Sequence, residues 1–250
     1  MPFSPAPHVN DWAAREFERQ VLDNDVFFAR FGREPNFAGR RVLDLGSGHG
    51  AMSARAAERG AVRVVGVDPN ARLVAWAMQN VALRFGGRLV FTTEDVSELA
   101  EQFELVVSKD TVEHIADVAR TFRAIASVMT SDAEAWIGFS PFYFSPYGDH
   151  GRAGRLMALP WLHTLPWPLV RRFASRYTGR RIQTRRDLGL NGLTPREFRG
   201  AVRNAGLRTA SIAYNRGERA LLRPLRILRR LPLLERYMTV NVYAVLRKAE

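Results

Sequence analysis

The chain contains no cysteine, which excludes disulfides, thiolate nucleophiles and sulfur-ligated metal centres. Lysine is nearly absent: only Lys109 and Lys248 occur among 37 basic residues. A GC-rich genome biases codons that way whatever the function, so the arginine preference says little by itself. No run of roughly 18 apolar residues is present to span a bilayer. The start at Met1–Asn10 lacks the basic stretch and apolar run of a signal peptide. The expectation is a cytoplasmic chain without a spanning helix. The five histidines are scattered and none pairs with another at ligand spacing, so no metal site is expected.

What is present is globular in character. The 250 residues are 46% apolar and 25% charged, enough for one α/β domain, residues 1–250, with an appended insertion. Charge is divided unevenly along it. Residues 1–150 carry 15 basic and 20 acidic side chains and residues 151–250 carry 22 and 5, so −5 is followed by +17.

Short β-branched runs alternate with helical periodicity in the first half, the pattern of a parallel sheet with crossover helices. Strands are predicted at 41–45, 62–67, 88–93, 104–108 and 135–139, with helices at 52–59, 71–84 and 116–129. A cap helix at about 10–35 reads as amphipathic, with Phe17, Val21 and Phe28 inward. The cofactor-binding core would cover 36–140. From 141 to 191 aromatic residues stand among prolines and no long helix is expected; the stretch reads as a lid insertion. Residues 192–250 resume with Thr194 as a helix cap, Pro195 at the first position and Glu197 at the third. Two closing strands, 207–214 and 239–246, flank a basic insertion at about 218–237 in which arginines 219, 223, 226 and 230 repeat at helical spacing. That segment suits an anionic membrane surface or an ordinary solvated face with its leucines on the core, with nothing to separate the two.

The strongest chemical signal is Val42-Leu43-Asp44-Leu45-Gly46-Ser47-Gly48-His49-Gly50, a buried strand running into a glycine turn that opens a helix. With Ala51 it also satisfies a dinucleotide fingerprint, so the glycines alone choose no cofactor. Asp44 disfavours a pyrophosphate at that helix end and would welcome a cationic amino-acid group. Asp68, ending the next strand, can accept hydrogen bonds from two ribose hydroxyls, and Asp95, after the third, can accept from an adenine amine. Three strand-end acids in series outline an adenosine with a cationic tail. His49 reads as a spacer turned to solvent or to a neighbour.

On these segments the chain resembles the class I S-adenosylmethionine-dependent methyltransferases, over 36–140 and more loosely the closing strands. Phe103 to Ile115 is similar to that family's fourth strand and following loop. The resemblance implies a Rossmann-like seven-stranded sheet with an antiparallel final strand and helices on both faces. It also implies S-adenosyl-L-methionine as cofactor, with Asp44, Gly46, Ser47 and Gly48 at its methionine part, Asp68 and Pro69 at the ribose, Asp95 and Val96 at adenine, and Ser108 binding it where the fourth strand borders cofactor and substrate. Methyl transfer to a hydroxyl gains from a base. His114 and His150 are the candidates, with His163 a third, and Glu113 either faces substrate or caps a helix. The expected acceptor is a small molecule, a saccharide or a lipid-linked compound, with peripheral contact to an anionic inner membrane surface. RNA methylation through the basic carboxyl-terminal portion is the first rival. A nicotinamide-dependent oxidoreductase and a non-catalytic binding protein on the same fold are the others.

Overall fold

The computed structural model describes residues 11–154, 159–218 and 222–249. His8 lies outside them, as do Arg219 and Leu221 of the basic insertion. Seven strands form one sheet in the order β3-β2-β1-β4-β5-β7-β6: β1 Arg41–Leu45, β2 Arg63–Val67, β3 Leu89–Thr92, β4 Phe103–Lys109, β5 Met129–Phe139, β6 Leu207–Tyr214 and β7 Val242–Lys248. The first four are parallel, and the sheet is the expected Rossmann-like one with antiparallel strands at its close. Eight helices are described: α1 Asp11–Ala29, α2 Ala51–Glu58, α3 Ala71–Asn80, α4 Val118–Val128, α5 Trp167–Thr178, α6 Pro195–Asn204, α7 Leu222–Leu228 and α8 Glu235–Met238.

Register decides where the site residues go. Leu45 of β1 is paired with Val67 of β2 and with Ser108 of β4, so β1 and β2 end at the same level and β4 runs one residue further. Gly46, Asp68 and Lys109 follow level with one another at the carboxyl ends of these strands, where parallel α/β sheets present ligand-binding groups.

Three expectations need correction. Val21 is 41% exposed, and Phe27 is buried alongside Phe17 and Phe28. The inner face of α1 instead carries Asn24, whose amide donates to the Ala51 carbonyl at 3.1 Å. The stretch 141–191 does contain a long helix, the 12-residue α5, because its prolines stand at the cap and first turn, where no intrahelical donor is needed. Strand β5 starts six residues earlier than predicted, taking over the end of the helical pattern at Met129. The Thr194, Pro195 and Glu197 start of α6 forms its capping box as read.

The chain divides into two compact units, Met1–Lys109 with Ala124–Trp136 and Val245–Glu250 in one, Asp110–Arg123 with Ile137–Ala244 in the other. In the first, Trp136 is fully buried, with Phe31 and Phe28 at 4.9 and 6.2 Å and the Arg33 guanidinium 5.1 Å from its ring. In the second, Phe198 meets Phe122 and Phe139, each at 5.7 Å. The insertion within that unit has its own apolar cluster of Tyr143, Val170, Ala174, Ile182 and Leu188. Arg185 lies against the rings of Tyr143, Trp167 and Phe144 at 4.8, 5.2 and 5.5 Å. In the basic segment Leu222 and Leu225 are buried, whereas Ile227, Leu231 and Leu233 are exposed. Among the described residues no helix is long and apolar enough to cross a membrane.

Phe91 of β3 fills the space beneath the glycine turn. A Cβ at Gly66 would meet its ring at 2.5 Å and the Ser47 Cβ at 2.9 Å. Gly66→Ala is therefore expected to cost about 1–3 kcal/mol through overpacking, read as a melting temperature several degrees lower in calorimetry; an unchanged melt would refute this packing.

Candidate functional site

In the first unit, three consecutive alternate residues of the turn, Gly46, Gly48 and Gly50, have positive φ of 77, 53 and 86°, which a side chain would strain. Such a turn bares its backbone. Asp68 secures it: one carboxylate oxygen accepts from the Gly48 amide at 3.0 Å and the other from the Asn70 amide at 2.9 Å. The Ser47 hydroxyl is buried and makes no hydrogen bond. Pro69 is exposed and Val96 buried. Asp95 caps the following short turn, accepting from the Ser97 amide at 3.0 Å and its hydroxyl at 2.6 Å. The Ser108 hydroxyl donates to the Leu45 carbonyl at 3.2 Å. His49 is turned to neighbours rather than to solvent, 4% exposed and edge-on to Trp76 at 5.2 Å and Trp12 at 5.6 Å.

Asp44 is 2% exposed and receives 2.6 Å from the Ser53 hydroxyl. Burial pushes its carboxyl up to about 6, against the Ser53 hydrogen bond and the Lys109 charge, with the Asp68 charge adding to the rise. An enclosed acid in that condition favours a cationic neighbour. The sequence did not reveal that Lys109 takes part: its amine donates to the Asn24 side chain at 2.9 Å and the Gln20 carbonyl at 3.4 Å, drawing α1 over the turn. Nothing in the local pattern of α1 marks Gln20 or Asn24 for that use.

The second unit holds the titratable cluster. Glu113 is 3% exposed, and neither carboxylate oxygen makes a hydrogen bond of ordinary geometry. Burial first, and the Asp110 charge second, raise its carboxyl well above the ordinary range. His114, next in the chain, sets Nδ1 2.7 Å from the Gly189 carbonyl, and its ring lies 5.6 Å from that of His150. Ligand atoms of Glu113, His114 and His150 all fall within 4.8 Å of one another. Spacing along the chain paired none of the histidines; folding brings two of them together beside an acid. Burial lowers both: His114 below its usual value against the Gly189 bond, His150 to about 4 with help from the Arg152 and His114 charges. His163 is enclosed instead. Its Nε2 is 2.6 Å from the Tyr143 carbonyl, and Asp149, the sequence neighbour of His150, faces it at 3.8 Å.

Asn191 also escaped the sequence reading. Its side chain donates to the Val112 and Ile115 carbonyls at 2.6 and 2.9 Å and accepts from the Leu193 amide at 3.0 Å, while its own amide donates to the Glu113 carbonyl at 3.1 Å. It thereby fixes both sides of the turn carrying Glu113 and His114.

The methyltransferase-domain family model matches residues 14–211. The chain belongs to the class I S-adenosylmethionine-dependent methyltransferases. Among curated relatives of this methyltransferase is the ubiquinone biosynthesis O-methyltransferase of Rhizobium etli, 39% identical over 95 residues, 35% of this chain and 38% of the relative. That of Ruegeria pomeroyi is 35% identical over 128 residues, 49% of each. The match thus spans less than half the length of either. Its fold is shared with an S-adenosylmethionine-dependent methyltransferase of Mesorhizobium loti, with 20% identity and TM-score 0.59 over 93% of this chain and 100% of the other. It is shared too with magnesium protoporphyrin IX methyltransferase of Synechocystis PCC 6803, solved with S-adenosylhomocysteine, at 18% identity and TM-score 0.54 over 98% of this chain and 90% of the other.

The Asp44 proton has a measurable consequence. In the fold it is held to about pH 6, against 3.8 in the unfolded chain, so its contribution to stability is complete below the lower value and is lost as pH rises through the higher one. The loss amounts to about 3 kcal/mol. Ligand-free Asp44→Asn should melt above the parent at pH 7.5, with the gap closing as pH falls toward 4; equal melting at pH 7.5 would refute the assignment.

Proposed function

We propose that this methyltransferase carries a methyl group to an oxygen of a small molecule, a saccharide or a lipid-linked compound, and that His114 takes the acceptor proton. The observation that carries the reading is the Gly189 carbonyl on Nδ1. It favours the tautomer with hydrogen on that atom and leaves the Nε2 lone pair for a hydroxyl proton. His150, at about 4, is too weak a base to match a neutral working pH, which favours His114 over it. The name O-methyltransferase on the curated relatives supports oxygen as acceptor atom.

The first unit suits the cofactor. Gly46 and Gly48 would let its methionine part approach backbone, with the Ser47 hydroxyl as a polar partner and Asp44 as the counter-charge to its cationic end. Asp68 with Pro69 would take the ribose, since each Asp68 oxygen keeps a second lone pair, and Asp95 with Val96 would take adenine. Ser108 steadies the end of β1 in this reading. The bound cofactor supplies an activated methyl on a sulfonium, already a good leaving group, so positioning and proton removal are the work left to the protein. A lipid-linked acceptor would suit contact between the 218–237 segment and an anionic membrane.

Three readouts test the proposal. Calorimetry with S-adenosylhomocysteine should give binding that Asp68→Ala weakens at least about tenfold. His114→Ala should lower kcat by about 10²–10⁴-fold with that affinity unchanged. The acid limb of the pH–rate profile should fall below 6.5, because His114 must be neutral to act and burial lowers it. Full activity in His114→Ala would end the base assignment; absence of binding would end the cofactor assignment.

A further inference from the structure

We propose that the exposed flank of α5 docks on the surface of an anionic lipid bilayer. Its far side is ordinary, with Val170 and Ala174 wholly buried. The near side is not. Leu169, Phe173 and Tyr177 follow one another at four-residue spacing and are 48, 39 and 58% exposed, and Leu165 just ahead is 43% exposed. Four large apolar side chains in one stripe are more than the scattered exposure normal for a surface helix. Arg172 and Arg176, also four apart, run beside the stripe, and with Arg171 they are exposed and form no ion pair among the described residues.

Charge identifies the occupant. Between Asp149 and Glu197 stand ten arginines and one acid, Asp187. That acid is committed to the Gln183 and Thr184 amides at 2.7 and 2.9 Å. Of these arginines, Arg171, Arg172, Arg176, Arg180 and Arg181 are exposed on α5 and just beyond it, so a partner must offer several negative groups and, beneath them, an apolar layer deep enough for leucine and phenylalanine. Lipid phosphates above acyl chains provide both. Nucleic acid provides the phosphates but nothing that Leu165 and Leu169 would enter. Guanidinium groups would pair with headgroup phosphates while Leu169 and Phe173 enter the acyl boundary, and Tyr177, an amphipathic ring, would lie at headgroup level. The Trp161 indole donates to the Tyr237 carbonyl at 3.0 Å, fixing the approach to α5 within its own unit. The inference rests on none of the catalytic assignments.

The test is co-sedimentation of the full chain with phosphatidylcholine vesicles, with and without phosphatidylglycerol. Sedimentation should require phosphatidylglycerol. Arg172→Gln with Arg176→Gln should weaken partitioning by roughly 25-fold, about fivefold for each charge removed. Leu169→Ser with Phe173→Ser should weaken it at least about tenfold, and both variants should keep the parent's thermal melt and S-adenosylhomocysteine affinity, since all four side chains are exposed. The proposal is overturned if the parent stays in the supernatant with phosphatidylglycerol vesicles, if it sediments equally with neutral ones, or if both α5 variants sediment like the parent. It is also overturned if only Arg226→Gln with Arg230→Gln, on the other basic segment, abolishes binding, or if RNA is bound and vesicles are not.

Discussion

Hydrogen bonding between β1 and its two parallel neighbours sets where every polar group of the first unit can go. A shift of one residue in either ladder would turn inward-facing side chains outward and would separate Gly46, Asp68 and Lys109 along the sheet edge. Because Leu45 is level with both Val67 and Ser108, the glycine turn starts where Asp68 can hold the Gly48 amide, and Asp44 ends buried with Ser53 as its hydrogen-bond donor. The raised Asp44 carboxyl follows from this register and from burial, with the Asp68 charge adding to it.

The second unit solves a different problem. A short turn bearing an acid and a histidine has little regular structure of its own, so other segments hold it. Asn191 binds the turn on both sides, Gly189 fixes the tautomer of His114, and Arg152 donates to the Leu188 and Gly189 carbonyls at 2.8 and 3.0 Å. Residues 188–191 thus support from behind what residues 112–114 present.

The positions of β1 to β4 and the glycine turn were legible in the sequence because β-branched runs and glycine spacing are local properties, whereas the seven-stranded sheet followed from the family resemblance. Strand ends fell within one or two residues for β1 to β4, and Thr194, Pro195 and Glu197 marked α6 for the same reason. What escaped was long-range. Asn24 and Lys109 are 85 positions apart, and Asn191 lies 79 from Val112; no periodicity encodes such pairs. Prolines 166 and 168 argued against a helix until their positions at its start were visible. The histidine pair His114 and His150 was named residue by residue, but its closeness depends on how the insertion folds.

The link between Asn24 and Lys109 bears on synthesis as well as on the finished molecule. Helix α1 is synthesised before β4, yet the amine that anchors it belongs to the end of β4. At about 5–20 residues per second, some 4–17 seconds separate the two. During that interval α1 carries Phe17, Phe27 and Phe28 without the anchor that Lys109 later supplies.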